Sequence, residues 1–253
     1  MKVQLTHGTS AYEVDLSRPI DISIPIRNGE QNPNCFYAPM PEFSPVRAGD
    51  FVGATAEGGA VNFFNVRINP HGNGTHTECV GHIALEKFTI RETLTQSHFL
   101  CKLVSVIPTK NEEGDKVIYR HHLEGFLEGE ALKAIIVRTM PNDEDKTSRS
   151  WSGTNPTYFD AAAIRYLVEN GIQHFLTDLP SVDREEDGGA LAGHKAFWQY
   201  PDNTREFATI TELIYAPDHI KDGLYLLNIQ TISLDLDVSP SKPVLFALNA
   251  LKT

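Results

Sequence analysis

The chain has 253 residues, 41% hydrophobic and 22% charged, with a formal net charge of -11. It can bury a sizeable core, is too apolar for wholesale disorder, and lacks the basic balance that binding to nucleic acid or to an anionic membrane requires. It has no run of 18 apolar residues to span a bilayer, its N-terminal MKVQLTHGTSAYEVDLS lacks the apolar core of a signal peptide, and its three cysteines (Cys35, Cys79, Cys101) form no CxxC, so a reduced, cytoplasmic setting is expected.

Along the chain, the first unusual stretch is NPHGNGTHTECVGH, residues 69–82, with three histidines and a glutamate among three glycines. Helices are predicted near KFTIRETLTQSHF (87–99) and RHHLEGFLEGE (120–130), with a strand at CKLVSVIP (101–108) between them. LKAIIVRT (132–139) reads as a second strand and the polar residues 140–157 as a loop. YFDAAAIRYLVENGI carries the best helix pattern: Asp160 as N-cap, Ile164, Leu167 and Val168 on one face, and Gly171 at the end. Further strands are expected at IQHFLTD (172–178), LYLLNI (224–229) and PVLFAL (243–248). Several of these runs are almost continuously apolar, as in strands covered on both faces. Strands alternating with a helix give an α/β class, and no break in composition divides residues 1–253, so one domain is expected.

The candidate chemistry lies in two clusters. His76 and Glu78 are two apart, so an extended backbone turns both to one face, and His82 follows closely. His71 stands five before His76, on the opposite face of a regular strand, unless Gly72-Asn73-Gly74 turns the chain back. Imidazole and carboxylate together suit zinc, manganese or iron, although three histidines in a glycine-rich loop are also compatible with simple solvation. The second cluster is TDLPSVDREEDGGALAGHKAFW (177–198). There Asp178 ends a strand where ligands commonly bind, or caps a turn, and His194 opens a short helix or packs in the core. Glu212 in FATITELIY shares the inward side of Ile210 and Ile214, where an unpaired carboxylate is costly. Cys79 beside the histidines is either a nucleophile or a packed small side chain. Phe36, Tyr37, Phe63, Phe64 and Trp198 are candidates for an apolar pocket wall or for ordinary core, and His121 and His122 receive no role.

Taken together, GTHTECVGH, DLSRPIDISIPI, TDLPSVD followed by AGH, and SPSKPVLFAL resemble, in order, the cyclase family of metal-dependent hydrolases, which includes bacterial kynurenine formamidase and isatin hydrolase. The resemblance spans about residues 14–248 and implies a swivelling β/β/α barrel-like fold and a homo-oligomer, dimer or tetramer. It implies one or two divalent ions, zinc or manganese, held by His71, His76, Glu78, His194 and Glu212, with His82 in proton transfer. The implied substrate is a small molecule, an aryl amide such as N-formylkynurenine or a cyclic amide, hydrolysed by metal-activated water. The alternative is a catalytically silent metal- or small-molecule-binding protein. Three positions depart from the signature HxGTHxDxPxH: Gly72 stands where its first histidine belongs, with His71 one residue earlier, Glu78 replaces the aspartate, and Val80 replaces the proline.

Overall fold

A computed structural model describes residues 1–251. Ten strands form its main sheet: β1 (Lys2–His7), β2 (Ser10–Asp15), β3 (Ile20–Asp21), β4 (His76–Glu78), β5 (His98–Val106), β6 (Ala134–Thr139), β7 (His174–Thr177), β8 (Thr209–Glu212), β9 (Gly223–Thr231) and β10 (Val238–Ala250). Seven of them close a mixed barrel in the order β10-β9-β5-β6-β7-β8-β4, with β4 returning to pair with β10. The run from β5 through β6 and β7 to β8 is parallel, and all other neighbours in the barrel are antiparallel. The β1–β2 hairpin extends the sheet beyond β10. Four short helices accompany the sheet: α1 (Pro70–Asn73), α2 (Ile90–Thr93), α3 (Ala161–Glu169) and α4 (Ala192–Trp198).

The continuous apolar strand runs serve two cores. Cys101, Leu103, Ala134, Ile136, Leu176 and Leu227 fill the barrel, whereas Val104, Ile135, Val137, Phe175 and Ile210 point outward beneath α3 and α4. The α3 helix begins as its sequence requires: Asp160 accepts a hydrogen bond from the Ala162 N–H, and Ile164 and Leu167 are buried against the outer core. Gly171, at φ +79°, turns the chain out of the helix in the left-handed region.

Two predicted helices are not formed. Residues 87–99 contain only the single turn of α2, and Phe99 is already paired with Leu227 in the sheet. In residues 120–130 the spacing of Leu123, Phe126 and Leu127 satisfies the core, but Gly125 and Gly129 adopt φ +85° and +72° and limit the segment to short turns. Asp178 is a structural residue. It accepts hydrogen bonds from the Thr139 N–H and hydroxyl and pairs with buried Lys146 at 2.7 Å.

On the inner face of β7, His174 stacks on Phe99 with ring centroids 3.9 Å apart and lies 2.9 Å from the Thr209 hydroxyl. Burial, with Arg205 and Lys133 adding to it, pushes its pKa down to about 4. The folded state therefore holds a neutral ring where the unfolded chain takes up a proton near pH 6.5. Stability from this group is complete above pH 6.5 and declines as pH falls toward 4, by about 3 kcal/mol in the limit. Urea titrations of the native protein and His174→Gln at pH 7, 6 and 5 are expected to converge as pH falls. Parallel curves would rule out this group as a source of acid sensitivity.

Candidate functional site

The geometry begins with β4. Its His76 faces Glu212 of β8 and Pro240 of β10, while Glu78 faces Ile210 and Val238. Facing residues on paired strands project to the same side, so His76, Glu78 and Glu212 share the outer face with Ile210, beside α4. The intervening Thr77 points into the barrel, 2.8 Å from the Thr211 hydroxyl. Thr75 braces the start of the strand: its hydroxyl donates to the Leu213 carbonyl at 2.5 Å and accepts from the Ile24 N–H at 2.7 Å.

His71 joins them because the chain does turn back. Pro70 opens α1, and the Asn69 side chain caps it by accepting from the Gly72 N–H at 3.0 Å. Gly72, the position of the signature's first histidine, packs too closely for any side chain. A Cβ there would lie 2.3 Å from the Ala38 Cβ and 3.0 Å from the Cys35 carbonyl. His71 instead carries its Nδ1 to 3.2 Å from Glu78 Oε2.

Glu78 is the centre. Its Oε1 lies 3.2 Å from His194 Nε2, and its Oε2 lies 3.8 Å from His82 Nδ1 as well as near His71. His76 Nε2 is 3.3 Å from Glu212 Oε2, and Glu212 Oε1 accepts the Val182 N–H at 3.0 Å. Ligand atoms of His71, His76 and Glu78 lie within 4.8 Å of one another, as do those of Glu78, His82 and His194. The six residues singled out in the sequence thus meet in one place. Two aspartates join them. Asp183 Oδ2 is 2.5 Å from His194 Nδ1, and Asp237 Oδ2 is 3.2 Å from His71 Nε2 and 3.6 Å from His82 Nδ1. Asp183 was visible within PSVD. Asp237 lies just before β10, and no local pattern joins it to a loop so distant in sequence.

Three imidazoles are tethered at one nitrogen: His76 Nδ1 to the Gly74 carbonyl at 2.9 Å, His194 Nδ1 to Asp183, and His71 Nε2 to Asp237. The other nitrogen of each faces the cluster. Burial opposes charging of His71 and His194, but the carboxylates of Asp237 and Glu78 in one case, and of Asp183 and Glu78 in the other, prevail and push both up to about 10. For Glu78 burial also opposes charging, and the neighbouring His82, His194 and His71 overcome it and hold the carboxyl well below its ordinary range. The centre combines densely packed carboxylates with imidazoles that, left alone, retain protons to balance them. Within the cluster, two buried atoms, His76 Nε2 and Glu78 Oε2, make no well-directed hydrogen bond, although Glu212 Oε2 and His71 Nδ1 stand 3.3 and 3.2 Å from them.

The cluster opens into a cavity of about 540 Å³. Phe36 and Tyr37 line it as expected, but Phe63 and Phe64 do not; they stand exposed where an outlying hairpin of residues 42–67 turns back. Trp198 is also absent from the cavity wall: it is fully buried beneath His194, with ring centroids 5.5 Å apart. Cys79 is buried, and burial raises its thiol above the ordinary range, which removes support for a cysteine nucleophile. All three cysteines are free and buried, and no described helix is long and apolar enough to cross a membrane.

The fold has counterparts among solved structures. The fold is similar to a structure described as a potential metal-dependent hydrolase with cyclase activity, at 19% identity, a TM-score of 0.65, and coverage of 90% of this chain and 97% of the other. It is similar to a predicted metal-dependent hydrolase from Bacillus stearothermophilus (18%, TM-score 0.63, 90% and 98%). It also resembles isatin hydrolase A from Labrenzia aggregata bound to benzyl benzoate (16%, TM-score 0.65, 91% and 93%). No curated protein matches the chain by sequence. The family model described as "Putative cyclase" matches residues 14–184, well over half of the chain and including the segment from His71 to His82. By that match, the chain belongs to the cyclase family.

Proposed function

We propose that this protein is a metal-dependent hydrolase that cleaves an amide or cyclic amide. The observation that carries the reading is the pair of buried atoms that make no well-directed hydrogen bond, His76 Nε2 and Glu78 Oε2, at the meeting point of further imidazoles and carboxylates. A buried polar atom without a partner costs about 1–3 kcal/mol, and a divalent cation removes that cost for both while balancing the carboxylates. The donor set of imidazole nitrogen and carboxylate oxygen suits zinc or manganese. His71, His76 and Glu78 would hold one ion, and Glu78, His194 and Glu212 a second where two bind. When bound, such an ion supplies Lewis acidity for a carbonyl and lowers the pKa of water toward neutrality.

The chain's own residues supply the rest. Asp183, Asp237 and the Gly74 carbonyl fix the ring orientations of His194, His71 and His76, so that a lone pair from each is available to the centre. His82 lies on the cavity wall with its side chain 32% exposed, accessible to a substrate yet 3.6 Å from Asp237. In this reading it passes a proton to the departing nitrogen, a task to which histidine is suited near neutral pH. Phe36 and Tyr37 offer an apolar wall to an aryl group, which favours formyl aryl amides such as N-formylkynurenine, and lactams, as substrates. The accompanying expectation of a homo-oligomer is tested by light scattering.

Elemental analysis of the purified protein, followed by a screen of formyl amides, lactams and lactones with metal added back, tests the proposal. Metal in the protein without metal-dependent turnover of any of these would favour a silent binding protein. Asp183→Asn is expected to weaken metal affinity about 10–100-fold in competition with a chelating dye, by releasing His194, and His194→Ala to weaken it further. Unchanged affinity in both variants would sink the assignment of His194 as a ligand.

For His82→Ala the metal should stay bound while kcat on amides falls by about 10²–10⁴-fold. Esters with good leaving groups need less protonation on departure and should lose less. Loss of the metal together with His82 would make it a ligand and pass the proton-transfer role to another group.

A further inference from the structure

Beyond the metal-facing cluster, the cavity wall contains one guanidinium. Arg184 is the only lysine or arginine among the described residues that line the cavity, and it also borders an adjoining hollow of about 230 Å³. Its Nε is buried and lies 3.0 Å from Oδ2 of buried Asp115, an ion pair without a well-directed hydrogen bond. Asp115 is already occupied: Oδ1 accepts from the Asn155 amide at 2.6 Å, and Oδ2 from the Tyr158 hydroxyl at 3.1 Å. Arg184 and Asp115 therefore do not meet in the two-bond fork that guanidinium and carboxylate prefer. Of the terminal nitrogens, Nη1 makes one long contact, 3.4 Å to the Glu186 carbonyl. The side chain remains 40% exposed.

The neighbouring carboxylates do not use this charge. Glu185 accepts the Gly153 N–H at 2.8 Å, and Asp187 accepts the N–H groups of Gly189 at 2.7 Å and Leu191 at 2.6 Å. Asp183 is engaged with His194 and the Gly193 N–H, and Glu212 with the Val182 N–H. The acids of this wall serve backbone donors and the His194 ring, and the terminal nitrogens of Arg184 hydrogen-bond to none of them.

We infer that Arg184 is a specificity residue that selects an anionic substrate, an amide carrying a carboxylate apart from the bond to be cleaved. The inference rests on the proposal that this cavity receives the amide substrate. A planar guanidinium paired with Asp115 on its Nε edge keeps two terminal nitrogens with which to meet a carboxylate, and lysine does not reproduce that geometry. Asp115, Asn155 and Tyr158 are positioning residues that set the guanidinium's angle from behind.

The test compares 4-formamidobenzoate with its neutral counterpart 4-formamidobenzamide, in the native protein, Arg184→Met and Arg184→Lys. The native protein should prefer the carboxylate in kcat/KM, mainly through KM, and Arg184→Met should reduce that preference about 10–100-fold, the range of a charge-assisted hydrogen bond. Arg184→Lys should retain an intermediate preference. Calorimetric titration of the metal-loaded protein with benzoate and with benzamide gives a readout that needs no turnover, and the benzoate preference should shrink in the same order. An unchanged preference in Arg184→Met would overturn the inference, because the metal alone would then be selecting the anion. So would equal losses for the charged and neutral compounds, which mark a purely structural tether to Asp115. If the native protein cleaves neither amide, the hydrolase proposal fails for this substrate class, while the benzoate titration still decides the role of Arg184.

Discussion

Closure of the barrel through a strand of three residues is the constraint on which the site depends. Both edges of β4 are occupied, one by β8 and the other by β10, so the register of His76, Thr77 and Glu78 is determined twice. A slip of one residue would send His76 and Glu78 into the apolar interior and turn Thr77 toward the cavity. The hydroxyl contact between Thr77 and Thr211 occupies the inner side of the seam, and Thr75 ties the strand to Ile24 and Leu213. These small hydroxyl residues suit a barrel seam where a larger inward side chain would compete with the packed core.

That seam also concentrates charge in a place that repels it. Glu78 and His76 are essentially inaccessible, and burying an ionised group without compensation is expensive. The fold reduces the cost in layers. Each tethered imidazole spends one nitrogen on a fixed acceptor, which decides the orientation of the other. The acceptors are themselves held: Asp183 takes the N–H groups of Gly193 and His194 at the start of α4, and the Asp237 carbonyl takes the Cys79 N–H at 2.9 Å. The elements that position the ring nitrogens are therefore the same ones that close the barrel and begin the helix.

Much of this was legible in the chain, for identifiable reasons. The strands at residues 101–108, 132–139, 172–178, 224–229 and 243–248 were visible because both of their faces are covered, which leaves almost unbroken apolar runs. The helix after Asp160 was visible because cap, apolar stripe and terminating glycine agree. The pairing of His76 with Glu78 followed from the period of an extended strand, whereas His194 and Glu212 entered the site through the family resemblance, their local patterns suiting ordinary packing as well. Segments 87–99 and 120–130 misled because their apolar spacing matches a helix, while β pairing of Phe99 and the left-handed conformations at Gly125 and Gly129 decide otherwise. Asp237 stayed hidden because it reaches His71 only through the β4–β10 register. His71 could be included only conditionally, since the turn that recovers it depends on the close approach of Gly72 to Ala38.

The segment from Pro180 to Trp198 shows how far composition can mislead about a local field. Its DREED run looks like a solvated acidic surface, and the whole chain carries a formal charge of -11. In the fold, Asp183, Glu185 and Asp187 each bind specific backbone N–H groups, so these acids shape the loop and begin the helix. The basic residue among them is held by an acid from elsewhere in the fold, Asp115, and its terminal nitrogens stay out of the exchange. Net charge bears on partners with broad faces, such as nucleic acid, because many phosphates must be met at once. A small molecule in a cavity meets only a few groups, and what matters there is which of them still lack a partner.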